Sequence, residues 1–169
     1  MHQIDSLYFA ASEIAGIHFK IFASHKGIRQ IFMNKKDGTV EAENLITLHE
    51  DDPFMFNVFE ELEQYFKCDR KSFSVPLDLH GTVFQKRVWH ELLKIPFGKI
   101  ITYLALAKQL GDEKLTRAVG TANGANPVPI IVPCHRVINT GGSLGGYSAG
   151  LNIKRKLLEL EGALSLELF

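Results

Sequence analysis

Cysteine is scarce in this chain. Its 169 residues hold two, Cys68 and Cys134, with no CxxC spacing. That count argues against a disulfide-stapled scaffold and against a thiolate-rich zinc site, and makes a reducing compartment the default. Also missing is any run near the roughly 20 apolar residues that a membrane helix needs. The first thirty residues lack the basic start and apolar block of a secretory signal. Neither a membrane protein nor an exported one is expected. Net charge is absent too, with 19 Lys and Arg against 19 Asp and Glu. Apolar residues are not lacking: they make up 46% of the chain, against 22% charged, which is the balance of a globular protein. The length suits one medium domain or two small ones.

The zero total hides an asymmetry. Residues 1–80 carry 8 basic and 13 acidic side chains, a net of −5, whereas 81–169 carry 11 and 6, a net of +5. A basic half joined to an acidic one is a prior for a segment that faces nucleic acid, although chance partition of surface charge gives the same numbers. His18, His25 and His49 fall in the acidic half without an ordered Cys/His motif, so no metal site and no cofactor are expected.

The first half reads as strands with one helix. Ile17, Phe19, Ile21 and Ala23 alternate with His18, Lys20, Phe22 and Ser24. A turn at His25-Lys26-Gly27 leads to a second strand over Ile28 to Met33, a hairpin. Asp51-Asp52-Pro53 opens a helix whose apolar face is Phe54, Val58, Leu62 and Tyr65, ending near Lys67. Phe73, Val75, Leu77 and Leu79 alternate as a short strand. From Gly81 the pattern turns helical. Thr82 caps a helix carrying Phe84, Val88, Trp89 and Leu92; Thr102 caps Tyr103 to Leu110; a third helix runs from Glu113 to Asn123. The last two, joined through Gly111, have the layout of a helix-turn-helix. Ile130 to Val132 is a short buried strand or extended segment, Gly141 to Gly146 a glycine-rich loop, and Asn152 to Leu160 a final helix.

The segment with the most chemistry in it is Asn126-Pro127-Val128-Pro129-Ile130-Ile131-Val132-Pro133-Cys134-His135-Arg136-Val137. A thiol must lose its proton to become a nucleophile, and a neighbouring His can take it. Adjacent strand residues face opposite ways, so Cys134 and His135 cooperate only in a turn or through a bridging water. For an isolated Cys-His pair, a buried structural cysteine beside a surface histidine is the commoner case.

The wider run changes that balance. Pro-Cys-His-Arg-Val at 133–137 resembles the active-site string of the O6-alkylguanine-DNA alkyltransferase family. Further matches are Phe84-Gln85-Lys86-Arg87-Val88-Trp89, Ile95-Pro96-Phe97-Gly98, Thr102-Tyr103, Arg117-Ala118-Val119-Gly120, Asn126-Pro127, Gly146-Tyr147-Ser148 and Leu157 to Gly162. Together they cover essentially all of 81–162, while the first eighty residues match weakly. The resemblance implies an α+β fold: a strand-rich, ribonuclease H-like domain over 1–80 and a mainly helical, winged-helix-like domain over 81–169.

It also implies a role at each matched position. Cys134 would take the alkyl group from guanine O6, His135 would accept the thiol proton through a water, and Glu161 would orient that histidine. Asn126 would brace the turn before the cysteine. Chemistry on O6 requires the base to leave the stack. Arg117 would fill the gap it leaves, and Tyr103 would crowd the 3′ phosphate and help protonate the leaving group. Ala118, Gly120, Thr121 and Ala122 would let the helix approach a minor groove closely, although small residues also serve ordinary packing. Val137, Tyr147 and Ser148 would line the guanine pocket. Ala149 stands where many relatives have a second glycine and would narrow that pocket. The expected partner is double-stranded DNA containing O6-alkylguanine, met by a cytoplasmic (nuclear if eukaryotic) monomer that needs no cofactor. Two other classes share parts of this set. A binding-only sensor of alkylated DNA would lack the cysteine, and a cysteine hydrolase would need an oxyanion hole and no Arg117 on a helix-turn-helix.

Overall fold

The computed structural model describes residues 6–34, 38, 40, 42 and 44–164. The chain divides into two compact units, Met1–His80 and Gly81–Phe169.

The first unit is built on a four-stranded sheet of β1 (Leu7–Ile14), β2 (Ile17–Ser24), β3 (Gly27–Met33) and β4 (Leu45–Thr47), in the order β3-β2-β1-β4. Ile14 pairs with Ile17 across Ala15 and Gly16, both at positive φ (53° and 73°), the two-residue turn whose twist suits an antiparallel pair. Ser24 pairs with Gly27 across the expected turn, and β4 joins β1 in parallel. Helix α1 (Pro53–Phe66) packs against β1. Asp52 caps it by accepting from the Phe54 N–H at 3.0 Å, and Pro53 occupies the first turn, where its missing N–H costs nothing. The buried face is Met55, Val58, Phe59, Leu62 and Tyr65. Val58, Leu62 and Tyr65 are buried as their spacing predicts, whereas Phe54 is 44% exposed and lies against Tyr8, ring centres 4.5 Å apart, with Met55 taking its place on the buried face.

The expected strand over 73–79 does not form. Only Leu77 bridges, to Ile28, with the Pro76 carbonyl accepting from Ile28 N and the Ile28 carbonyl from Asp78 N. Proline has no N–H to continue the ladder, and the Glu61 carboxylate draws off the Ser74 N–H at 2.9 Å.

The second unit is helical. Helix α2 (Val83–Leu92) starts with a reciprocal cap between Thr82 and Gln85 and buries Val88, Trp89 and Leu92. A two-residue strand β5 (Ile101–Thr102) leads into α3 (Tyr103–Gln109), capped by the Thr102 hydroxyl and ended at Gly111, φ 104°. The third expected helix is two pieces, a 3₁₀ turn at Glu113–Leu115 and then α4 (Thr116–Gly124), which packs on α2 and α3. Trp89 Nε1 donates to the Ala122 carbonyl at 2.9 Å, locking α2 to α4 at the centre of the core. Ala122 is therefore a buried packing residue and not part of a surface open to a groove. A second 3₁₀ turn, Cys134–Arg136, runs into β6 (Val137–Ile138), which pairs in parallel with β5. Helix α5 (Leu151–Leu160) follows the glycine-rich loop. Among the described residues no helix is long and apolar enough to cross a membrane.

Candidate active site

Cys134 opens the 3₁₀ turn that follows Pro133, and there the adjacent side chains Cys134 and His135 are both buried instead of facing opposite sides of a strand. The approach to it is strained and braced. Ile130 sits at φ 74°, a left-handed conformation that a β-branched residue adopts only when its surroundings hold it. Asn126 provides that hold. Its Oδ1 accepts from Val128 N at 3.0 Å, and its Nδ2 donates to the Val132 carbonyl at 2.8 Å and to Cys134 Sγ at 3.0 Å. One amide thus sets the turn and contacts the thiol. Burial pushes the Cys134 thiol up to about 11, against the opposing pull of Asn126 and the Lys154 charge. The resting group is a neutral thiol, which needs a base before it can attack.

His135 is fully buried and directs Nε2 at Glu161 Oε1, 2.9 Å away. Its Nδ1 makes no hydrogen bond among the described residues. Burial lowers the pKa of the imidazole, with Glu161 opposing and Arg136 and Lys154 assisting, so the ring is neutral near pH 7 and able to accept a proton. Glu161 caps the C-terminus of α5 and is 6% exposed. A carboxylate there faces the negative end of the helix dipole. Burial raises it further, but hydrogen bonds from His135 and Arg136 outweigh both and hold it at about 2.

Lys154 and Arg136 escaped the sequence reading. Within Lys154-Arg155-Lys156 the first lysine looks like surface charge, yet it is fully buried. Its Nζ donates to the carbonyls of Val137 (2.6 Å), Leu144 and Gly146 (3.4 Å), strapping the glycine-rich loop to α5. Burial lowers its pKa to about 8. The available signal was spacing: Lys154 lies three and four residues before Leu157 and Leu158, on the buried face.

Tyr103, at the start of α3, joins this buried cluster to the surface. Burial raises its pKa, and the thiolate form of nearby Cys134 raises it further; Lys154 Nζ lies 6.0 Å from its ring centre. It also lines an open cleft of about 530 Å³ with Arg117, Gly120, Thr121, Asn139 and Gly146. Arg117 and Ala118 are exposed on α4, and Gly120 faces Tyr103. Val137 is buried with its carbonyl on Lys154, while Tyr147, Ser148 and Ala149 sit on the loop before α5, half-buried, exposed and half-buried in turn. The structure therefore gathers Cys134, His135, Glu161, Asn126 and Tyr103 into one cluster, and places Arg117 and Ala118 on the adjoining face.

Known proteins resemble this chain in sequence and in fold. Residues 83–163 match the family described as 6-O-methylguanine DNA methyltransferase, DNA binding domain, and residues 10–79 match its ribonuclease-like domain. A methylated-DNA–protein-cysteine methyltransferase of Methanosarcina acetivorans is 51% identical over 114 residues, covering 68% of this chain and 73% of that one. The inducible methyltransferase of that name from Bacillus subtilis is 38% identical, covering 95% and 87%. Among solved structures, Mycobacterium tuberculosis OGT in complex with DNA superposes with a TM-score of 0.82 at 38% identity, covering 92% of this chain and 93% of the other.

Proposed function

The chain belongs to the 6-O-methylguanine DNA methyltransferase family, and on that premise we propose that it repairs O6-alkylguanine in duplex DNA by moving the alkyl group onto its own Cys134. The observation that carries the residue assignment is the buried neutral thiol beside a neutral histidine, itself hydrogen-bonded to a carboxylate at 2.9 Å.

The chemistry balances without a cofactor. His135 takes the Cys134 proton on Nδ1 through a water, the nitrogen left over once Nε2 is committed to Glu161. Sγ attacks the alkyl carbon in line with O6, the C–S bond forms as the C–O6 bond breaks, and the guanine anion takes a proton from Tyr103, which regains one from the His135 imidazolium through solvent. The proton lost by sulfur is matched by the one guanine gains. Asn126 holds Sγ on course throughout. Cys134 is only 3% exposed, so a base stacked in a duplex cannot meet it, and the alkylated nucleotide must turn out of the helix. Arg117 at the rim of the cleft would occupy the space vacated, and Ala118 would let α4 approach a minor groove closely. The units then divide the work, with 81–169 binding and reacting and 1–80 supporting. A thiol used once must not be oxidised first, which fits a reducing, intracellular setting.

Intact-protein mass spectrometry after incubation with a duplex containing one O6-methylguanine tests the assignment. The wild-type chain should gain one methyl, mapped to Cys134, and Cys134→Ser should gain none while still binding the duplex, since serine does not ionise near neutral pH. A methyl on Cys68, or transfer by Cys134→Ser, would refute it.

A further inference from the structure

Arg136 has no part in the steps above, yet it is as buried as the residues that do, at 5% exposed. Its Nε donates to Glu161 Oε2 at 2.9 Å and Oε1 at 3.2 Å, its Nη2 to Oε1 at 2.9 Å, and its Nη1 to the Ile95 carbonyl at 2.5 Å. The Phe97 ring lies 6.0 Å from the guanidinium. From the same turn, Gly98 N donates to Oε2 at 3.1 Å. Gly98 stands at φ 74°, and a Cβ there would meet the Glu161 carbonyl at 2.8 Å, so only glycine lets the turn come this close. The carboxylate is clamped from two sides, and Oε1 is divided between two donors, Arg136 and His135.

That division matters for a base. A carboxylate committed to His135 alone would stabilise the imidazolium and raise the pH below which the ring is already protonated and unable to take a proton from the thiol. We propose that Arg136 is a positioning residue for alkyl transfer: by sharing Oε1 with His135 and anchoring on the Ile95–Gly98 turn, it aims Glu161 at the imidazole while taking up enough of its charge to leave that ring neutral. The proposal rests on His135 being the base. The surroundings of His135 agree in sign: burial favours the neutral ring, Glu161 opposes, and Arg136 and Lys154 assist. Arg136 is the one among them that touches Glu161 directly.

The test is the pH dependence of single-turnover transfer to the methylated duplex, from pH 5 to 9, for wild type, Arg136→Met, Arg136→Lys and His135→Gln. The imidazole resonance of His135 is titrated in parallel by NMR. Removing the guanidinium returns the Glu161 charge to His135, so the acid limb and the resonance should move together to higher pH, by about one unit, within the range that a charge at this distance exerts. Below the acid limb of the wild type, transfer should fall about tenfold, with a smaller loss at pH 6 and little change at pH 8.5. Arg136→Lys retains a cation but cannot span both Glu161 and Ile95. It should shift both readouts the same way by less, and it decides the matter if the methionine variant does not fold. Limbs and resonances that coincide with wild type in every folded variant, with rates lowered evenly at all pH values, would make Arg136 merely structural and overturn the proposal. An unchanged acid limb in His135→Gln would instead remove His135 as the base, a different failure.

Discussion

Asp78 and Glu161 are held far below the range of exposed carboxylates, one in each unit. Burial pushes each up, but hydrogen bonds from Ser24 and Arg29 bring Asp78 from 3.8 to about 2, and those from His135 and Arg136 bring Glu161 from 4.5 to about 2. A carboxylate whose pKa is lower folded than unfolded stabilises the fold above its unfolded pKa, and that contribution drains away as pH falls through the folded value. The share of the urea midpoint that these two carboxylates supply should therefore be level above about pH 5 and decline between about 4.5 and about 2. Glu161→Gln should start lower, because it leaves Arg136 buried without its counter-charge, and should decline less steeply over that window. A wild-type midpoint independent of pH down to 3 would contradict this. Neither ion pair was legible in the sequence. Arg29 and Asp78 lie 49 residues apart and Arg136 and Glu161 25 apart, and no local pattern marks a pairing of that length. Asn126 was different: an Asn before Pro already implies a side chain turned onto its own backbone, and the thiol contact grows out of that turn.

Helices that begin with a hydroxyl cap and end at glycine were readable from sequence because both signals are local: Thr82 and Thr102 cap where their spacing predicts. Strands β1 and β4 were not. In β1, Phe9 and Ala11 lie between the more buried Leu7, Ala10 and Ile14 without clean alternation, and β4 is three residues whose pairing with β1 is parallel and distant. The false strand at 73–79 failed for the opposite reason: its alternation is good, but proline and the Glu61 carboxylate take its ladder bonds. Helix α4 has two distinct faces. Its exposed residues, Arg117, Ala118, Thr121 and Gly124, form one stripe of small side chains edged by a cation, whereas Val119, Ala122 and Asn123 face inward. If that stripe meets DNA, Ala118→Leu should weaken binding to duplex and leave the melting temperature and transfer from free O6-benzylguanine unchanged. Arg117→Ala should slow transfer from duplex far more than from the free base, since the arginine would stabilise the extruded nucleotide and not the reacting atoms. Equal losses on both substrates would return the stripe to a packing role.

At the scale of the whole molecule the reaction has no way back. A hydrolase escapes its acyl intermediate because the carbonyl carbon is open to water, but S-alkylcysteine offers only a saturated carbon and a poor leaving group. His135 and Glu161 have nothing to activate against it. Methyl transfer should stop at one per chain however much alkylated duplex remains, and recovery of free thiol with further turnover would refute the mechanism. The fate of the spent chain follows from where the methyl lands. Cys134 is 3% exposed, with Sγ 3.0 Å from Asn126 Nδ2 and the backbone behind it strained at Ile130. A packed interior that must admit one extra methyl loses about 1–3 kcal/mol. Here the added group crowds the amide that braces the turn, so the loss spreads to the Val128 and Val132 contacts that Asn126 also makes. In a chain of this size that is a fall of roughly 2–12 °C in melting temperature. Comparing chains before and after stoichiometric methylation by scanning calorimetry checks it, with Asn126→Ala as the control. That variant should melt lower from the outset and lose less on methylation, because the brace that the methyl disturbs is already gone.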